Sequence, residues 1–119
     1  MKNVGMRVYT NVFVDKLEVD LVAIEPAGRK PLVYVVEVKT RPKQKLLHQL
    51  LSRVSLADYV YAALPIRHYP YLLEIPRPAG SIGIDVDGHS IYEIKKPVYL
   101  GNGWKLLELV GSRPPQSGQ

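Results

Sequence analysis

Four ionisable side chains stand at alternating positions on two segments that have the composition of neighbouring β-strands. Glu18 and Asp20 lie on the first segment, and Glu37 and Lys39 lie on the second. The intervening loop contains two prolines and is roughly symmetric about its central Gly28–Arg29 pair. In an antiparallel hairpin of that register, Asp20 faces Glu37 and Glu18 faces Lys39. Residues two apart share a face of a strand, so we expect all four groups to converge.

Acids gathered at this position need a counter-charge. The flanking residues are mainly valine, leucine and isoleucine, so unpaired carboxylates there would repel one another and resist ionisation. A divalent cation removes that conflict, and oxygen-only ligands favour Mg²⁺ or Mn²⁺. Asp20 and Glu37, helped by the carbonyl of Val38, are the candidate ligands, and Lys39 would position the nucleophile or the phosphate. The alternative is a ladder of cross-strand ion pairs at an exposed sheet edge.

Strands and one helix are needed to hold these groups. Leu46, Leu50 and Val54 recur at helical spacing between Pro42 and Ala57, and Leu47 and Leu51 extend the same apolar stripe. The run at residues 58–64 is almost entirely apolar, which is typical of a strand covered on both faces. Strand, helix and strand then make a parallel crossover unit. The strands are predicted at Arg7–Val14, Leu17–Ile24, Leu32–Lys39 and Asp58–Leu64.

The second half of the chain gives a weaker pattern. Residues 70–75 are bracketed by prolines and could form one or two helical turns, and residues 81–86 and 90–94 alternate like a hairpin around Asp87–Gly88. Residues 104–110 are compatible with a helix or a strand. The polar stretch Ser112–Gln119 is predicted to be a disordered tail.

The net charge of +5 is concentrated in one segment. Residues 38–57 contain five basic residues and no acid, whereas the other residues carry 11 basic and 11 acidic side chains. Such a patch is what a polyanion such as DNA would meet, although a solvated helix face is the plainer interpretation. The candidate phosphate contacts are Arg41, Lys43, Lys45 and Arg53, which would position a duplex without recognising its sequence.

Length and composition limit the function classes. A chain of 119 residues with 46% hydrophobic and 23% charged residues has room for one domain, predicted at residues 1–111. The absence of cysteine excludes disulfides and cysteine-ligated metals, and it favours a reducing, cytoplasmic location. No apolar run approaches the length of about 20 residues that a membrane span needs, and no signal peptide is recognisable. We expect neither a membrane partner nor a small organic cofactor.

Several segments together resemble the core of the PD-(D/E)XK nucleases. They are EVDLVAI at Glu18–Ile24, VVEVKTR at Val35–Arg41, the basic leucine-rich helix, and ADYVYAALP at Ala57–Pro65, and the segment at Gly80–Pro97 is also similar. The resemblance implies an α/β, restriction-endonuclease-like fold with a mixed central sheet flanked by helices. It also implies Mg²⁺-dependent cleavage of DNA, as in Holliday-junction resolvases and RecB-type nuclease domains, which act in recombination and repair. Asp20 and Glu37 would be metal ligands, Lys39 the catalytic lysine, and Gln49 a looser match to a helix glutamine near the site.

This sequence departs from the family pattern at two places. Val19 occupies the proline position, which is a frequent variation. The helix that usually precedes the first strand, often with a further acidic ligand, is short or missing, because at most six residues are available for it. Glu18 could replace that acid, or a partner chain could complete the domain. We therefore expect either an endonuclease, plausibly a homodimer joined where the missing helix exposes the sheet, or a non-catalytic DNA-binding or assembly subunit of the same fold.

Overall fold

Alternating apolar residues in the first third of the chain form three strands, as predicted, and each of the first two strands pairs antiparallel with the next. The structure is a computed structural model, and it describes residues 5–110. Strands and helices agree with the predicted segments to within a few residues, and residues 104–110 form a helix. The elements are β1 (Arg7–Val14), β2 (Leu17–Glu25), β3 (Leu32–Val38), α1 (Gln44–Arg53), β4 (Tyr59–Pro65), α2 (Tyr69–Leu73), β5 (Gly80–Asp85), β6 (Ser90–Lys95) and α3 (Trp104–Val110).

The six strands form one sheet in which spatial order follows chain order. β3 pairs with β4 and β4 with β5 in parallel, and the other neighbouring strands are antiparallel. The α/β class with a mixed sheet is therefore confirmed, as is the parallel pairing of β3 and β4 across α1. β3 and β4 lie in the middle of the sheet, where the candidate site also begins.

The three helices pack against the same face of the sheet, which we call the helix face. Glu37 and Ser81 lie on the same face of the sheet, because both are register partners of Ala62 in β4. Glu37 bonds to Arg53 of α1, and the Ser81 hydroxyl donates to the carbonyl of Leu72 in α2. Val33 lies on the same face of β3 as Val35 and Glu37. It contacts Gly103, the residue that precedes α3. The opposite face, which we call the open face, carries none of the helices in the described chain.

Two sequence predictions about burial are wrong. β4 is not covered on both faces within the described chain: Leu64 is fully buried on the helix face, whereas Tyr59 and Tyr61 on the open face are only half-buried. Tyrosine is amphipathic: its ring counts as apolar in the sequence pattern, although the side chain does not need to be enclosed. Leu51 does not belong to the buried helix stripe, because 63% of it is exposed while Leu46 is fully buried. α1 is also shorter than the predicted segment.

Residues 112–119, predicted to be a disordered tail, lie outside the described residues. Among the residues that the structure does describe, no helix is long and apolar enough to cross a membrane.

Asp58 ties the start of β4 to two other parts of the chain. Its buried carboxylate accepts hydrogen bonds from the backbone N–H of Val33 at 2.8 Å and of Gly103 at 3.1 Å. Its own backbone N–H donates to the carbonyl of Val33, and its carbonyl accepts from Leu100. One buried acid therefore fixes β3, β4 and the loop before α3, and it satisfies backbone groups that water cannot reach.

Asp58→Ala leaves two buried N–H groups without an acceptor, and each such loss costs about 1–3 kcal/mol. We expect the free energy of unfolding to fall by about 2–4 kcal/mol in urea denaturation followed by circular dichroism. The exposed Asp87→Ala is the control and should stay within about 0.5 kcal/mol of the wild type. A wild-type midpoint for Asp58→Ala would show that the carboxylate does not hold these segments together.

Candidate functional site

The candidate site lies where β2 and β3 stop pairing through their backbones. The observed register runs from Glu25 opposite Leu32 to Leu21 opposite Val36, which is the register predicted from the loop. Both strands continue beyond the last of these pairs, but the side chains of Asp20 and Glu37 now contact the backbone of the opposite strand. The divergence therefore creates a gap in the middle of the sheet rather than at its edge.

Asp20 and Glu37 occupy this gap, and each carboxylate contacts the backbone of the other strand. Oδ2 of Asp20 accepts a hydrogen bond from the N–H of Val38 at 2.9 Å, and Oε2 of Glu37 lies 3.4 Å from the N of Asp20. Side-chain oxygens thus replace the carbonyls that would pair the strands in a regular ladder. The two predicted acids come together as expected.

Glu37 is fully buried, and its charge is only partly compensated. Its relative exposure is 0%, and Oε1 accepts no hydrogen bond from any described residue. Burial is the main cause that raises the pKa of Glu37, and the nearby charge of Asp20 raises it further, while the guanidinium of Arg53 opposes both. Glu37 is therefore a carboxylate with one oxygen still lacking a positive or hydrogen-bonding partner.

Arg53 does not lie on the exposed helix surface, and its prediction as a phosphate contact is wrong. Only 3% of the residue is exposed. Its Nε donates to Oε2 of Glu37 at 3.2 Å, and its two other nitrogens donate to the carbonyl of Glu18 and the hydroxyl of Ser52, each at 2.6 Å. The last turn of α1 faces the strand gap, where the buried acid requires a cation.

A cleft of about 470 Å³ opens above the gap, between α1 and the tip of the β1–β2 hairpin. Three lysines and the ion-paired Arg53 line it, whereas only two acids do. The cleft therefore has an excess of positive charge beside a pair of acids, which suits an anionic ligand that also brings a metal ion. The cations are Lys16, Lys39, Lys45 and Arg53, and the acids are Glu18 and Asp20.

Lys39 is available for chemistry. It lies directly after β3, and its backbone N–H continues the parallel pairing by donating to the carbonyl of Ala63 at 3.0 Å. Its side chain is half-buried and lines the cleft, and no acid of the described chain lies within ion-pair distance of it. The other predicted phosphate contacts are exposed: Lys45 lines the cleft, and Arg41 and Lys43 lie beyond its lining.

Glu18 and Gln49 also line the cleft, as the sequence suggested. Glu18 is exposed, and its carboxylate accepts a hydrogen bond from the side-chain amide of Asn11 at 2.9 Å. Gln49 is half-buried, and its Oε1 is enclosed without a hydrogen-bond donor from the described residues. Gln49 thus contributes a second unsatisfied oxygen to this region.

The side chains predicted to hold Mg²⁺ or Mn²⁺ would offer two carboxylates at this place. Within residues 5–110, no three acidic or histidine side chains converge on one metal position. An ion would therefore be held by Asp20, the free oxygen of Glu37, the carbonyl of Val38 and water. Mg²⁺ is commonly bound in proteins by one or two carboxylates with waters completing its shell.

The geometry disfavours the alternative of an exposed ion-pair ladder. Glu37 is enclosed in an interior strand, and its cationic partner comes from α1 rather than from the neighbouring strand. Glu18 and Lys39 make no ion pair with each other.

Sequence reasoning also missed Lys16, which reaches the cleft from the two-residue turn after Val14. The only signal for it was its position between two predicted strands.

Comparison with known proteins bears on the fold. The structure is similar to that of the SPO1766 protein of unknown function from Silicibacter pomeroyi, with a TM-score of 0.64 and 15% sequence identity. The match covers 87% of this chain and 70% of that chain. No model of a protein family matches the sequence, and no curated protein matches it. The arrangement of sheet and helices therefore recurs in another protein.

Arg53→Met should destabilise the chain by about 3–5 kcal/mol, because it leaves the charge of Glu37 buried without a partner. The second substitution Glu37→Leu in the same chain should restore most of that loss, since no buried charge then remains. Urea denaturation of the wild type, both single variants and the double variant measures the coupling. Lys45→Met, an exposed position on the same helix, is the control. Additive effects of the two substitutions would contradict a direct ion pair.

Proposed function

We propose that this chain is a metal-dependent nuclease of the restriction-endonuclease-like fold, which hydrolyses phosphodiester bonds in DNA. The observation that carries the proposal is the convergence of Asp20 and Glu37 at a strand divergence, below a basic cleft that contains the unpaired Lys39. The resemblance of the flanking segments to the PD-(D/E)XK nucleases supports the same assignment. An acid pair, one lysine and a surplus of positive charge are what cleavage of a polyanion requires.

Each side chain has a separate task in this proposal. Asp20 and Glu37 would hold the metal ion, with the Val38 carbonyl beside them. When bound, Mg²⁺ would make water more acidic and offset the charge that develops on the phosphate. Lys39, which has no acid partner in the described chain, would donate to the attacking oxygen or to a phosphate oxygen. Lys45 and its exposed neighbours on the basic segment would hold the adjacent phosphates.

The reaction consumes one water molecule for each bond cleaved. The oxygen of water bonds to phosphorus, and one ester bond between phosphorus and oxygen breaks. One water proton is released to solvent, and the departing alkoxide gains a proton to become a hydroxyl. The products are a strand that ends in a phosphate monoester and a strand that ends in a hydroxyl. Which of the two ester bonds breaks depends on how the DNA lies in the cleft.

Asp20→Ala and Lys39→Ala should each lower the cleavage rate by about 100-fold or more, because the first removes a proposed metal ligand and the second removes the positive charge directed at the reacting phosphate. Branched, flapped, linear and single-stranded DNA with Mg²⁺ or Mn²⁺ are the substrates, and strand scission on denaturing gels is the readout. Lys96→Ala removes a lysine that lies outside the cleft lining and should leave cleavage unchanged. Chelation with EDTA should abolish cleavage. Full activity of Asp20→Ala would exclude this centre.

A second candidate function is a non-catalytic DNA-binding or assembly subunit that keeps the same fold. The observation that favours it is the ion pair between Arg53 and Glu37, since the guanidinium already supplies positive charge to a proposed metal ligand. Binding of Mn²⁺ separates the two candidates. A stoichiometric Mn²⁺ site that disappears in Asp20→Ala favours the nuclease. Salt-sensitive DNA binding without a Mn²⁺ site and without cleavage favours the subunit.

Lys45→Ala should weaken binding of DNA and should lower the slope of log affinity against log salt by about 1, as expected when one phosphate contact is lost. Lys43→Ala is expected to act in the same direction. Fluorescence anisotropy of a labelled duplex over a range of salt concentrations measures both effects. Lys96→Ala, outside the basic segment, is the control. Unchanged affinity in both Lys45→Ala and Lys43→Ala would show that the DNA lies elsewhere.

A further inference from the structure

We propose that the open face of the sheet is the interface of a symmetric dimer of this chain. The proposal rests on the sheet alone and does not depend on nuclease activity. Alternate residues of the central strands project from this face, and nearly all of them are apolar or aromatic. They include Leu21, Tyr34, Val36, Tyr61, Ile82 and Ile84, all of them half-buried.

The central strands carry apolar side chains on both of their faces, but residues 5–110 cover only one of them. All-parallel sheets are almost always covered on both faces, because their crossover helices pack on each side, and the middle of this mixed sheet is parallel. Here β3, β4 and β5 are the parallel strands, and α1, α2 and α3 all pack on the helix face. A contiguous apolar surface of this kind on a small domain marks a site of interaction.

Two tyrosine hydroxyls on the open face already have partners within the chain, so covering the face would not leave them unsatisfied. The hydroxyl of Tyr34 donates to the carboxylate of Glu25, and the hydroxyl of Tyr61 donates to Glu93. Burial is the main cause that raises the pKa of both tyrosines, and the carboxylate bonds add to it, so both hydroxyls keep their protons. The ring of Tyr34 stacks on that of Tyr59, with ring centres 5.2 Å apart.

The size of the face is close to the lower end of what a stable dimer needs. Six strands about 4.8 Å apart and about six or seven residues long give a face of roughly 500–600 Å² in projection. A specific interface buries about 600–1,000 Å² on each partner, measured over the uneven molecular surface. Tyr99, which packs against Tyr59 at the rim and is 55% exposed, enlarges the contact surface.

The chemistry of the face favours a second copy over a nucleic acid. Its ionisable groups include Glu25 and Glu93, which repel a polyanion and offer nothing to phosphate. An apolar face is complementary to itself, and a two-fold axis through it would bring the two sheets together with equivalent contacts. Packed sheets lie about 10 Å apart, so the side chains of both copies would interdigitate.

Sedimentation of the wild-type chain should give twice the chain mass of 13.4 kDa at micromolar concentration. Val36→Arg and Ile82→Arg each place an unpaired charge within the interface and should raise the dissociation constant by about 100-fold or more. Leu51→Arg is the matched control, since it adds the same charge at an exposed leucine on the helix side. A monomeric wild type, or variants that fold and remain dimeric, would overturn the proposal.

A second measurement does not need the charged variants to fold. The chain contains no cysteine, so Ile84→Cys and Leu51→Cys each introduce a single thiol. The rate of maleimide labelling at Ile84→Cys should fall at least about tenfold between nanomolar and high micromolar protein, because only the dimer hides that position. The rate at Leu51→Cys should not change. Equal rates at both positions over the whole range would refute an interface on the open face.

Discussion

The exclusion of one carboxylate from water is the constraint on which the candidate site depends. Removing an ionised Glu37 from solvent costs several kcal/mol, and only a well-placed cation offsets that cost. Arg53 supplies it, and the same guanidinium also bonds to the carbonyl of Glu18. Three elements, β2, β3 and α1, therefore meet at one side chain. The opening of the sheet and the last turn of the helix above it therefore coincide at the same ion pair.

The ion pair between Arg53 and Glu37 uses only one of the two carboxylate oxygens, and this affects the proposed chemistry. Arg53 binds one oxygen of Glu37 and leaves the other without a partner. Asp20 and Glu37 together carry two negative charges against the one positive charge of Arg53, so the group keeps one net negative charge when both acids are ionised. A divalent cation is still attracted to such a group, although less strongly than to two uncompensated acids. Arg53 would therefore weaken a metal site here without abolishing it, and the ion pair itself holds Glu37 in place.

Much of this arrangement could be predicted because it follows from periodicity and loop symmetry. A turn centred between residues 28 and 29 fixes the register of β2 and β3, and that register alone brings Asp20 to Glu37. The burial of Arg53 could not be predicted in the same way. Helical spacing puts a residue on the flank of α1, but whether that flank meets solvent or a buried acid depends on how the helix lies across the sheet. The basic composition of the segment predicted that Arg53 is exposed to solvent, whereas the packing of α1 against the sheet buries it.

The two faces of the sheet are different chemical environments. The helix face contains the ion pair and opens into the basic cleft, whereas the open face is largely apolar and pairs the hydroxyls of Tyr34 and Tyr61 with Glu25 and Glu93. A dimer formed through the open face would direct its two clefts away from each other, because each cleft lies on the helix side of its own sheet. Each copy would then meet its own stretch of nucleic acid, since a straight duplex on one side cannot pass through both clefts. In such a dimer, self-association and polyanion binding occupy opposite sides of the sheet, so neither surface obstructs the other.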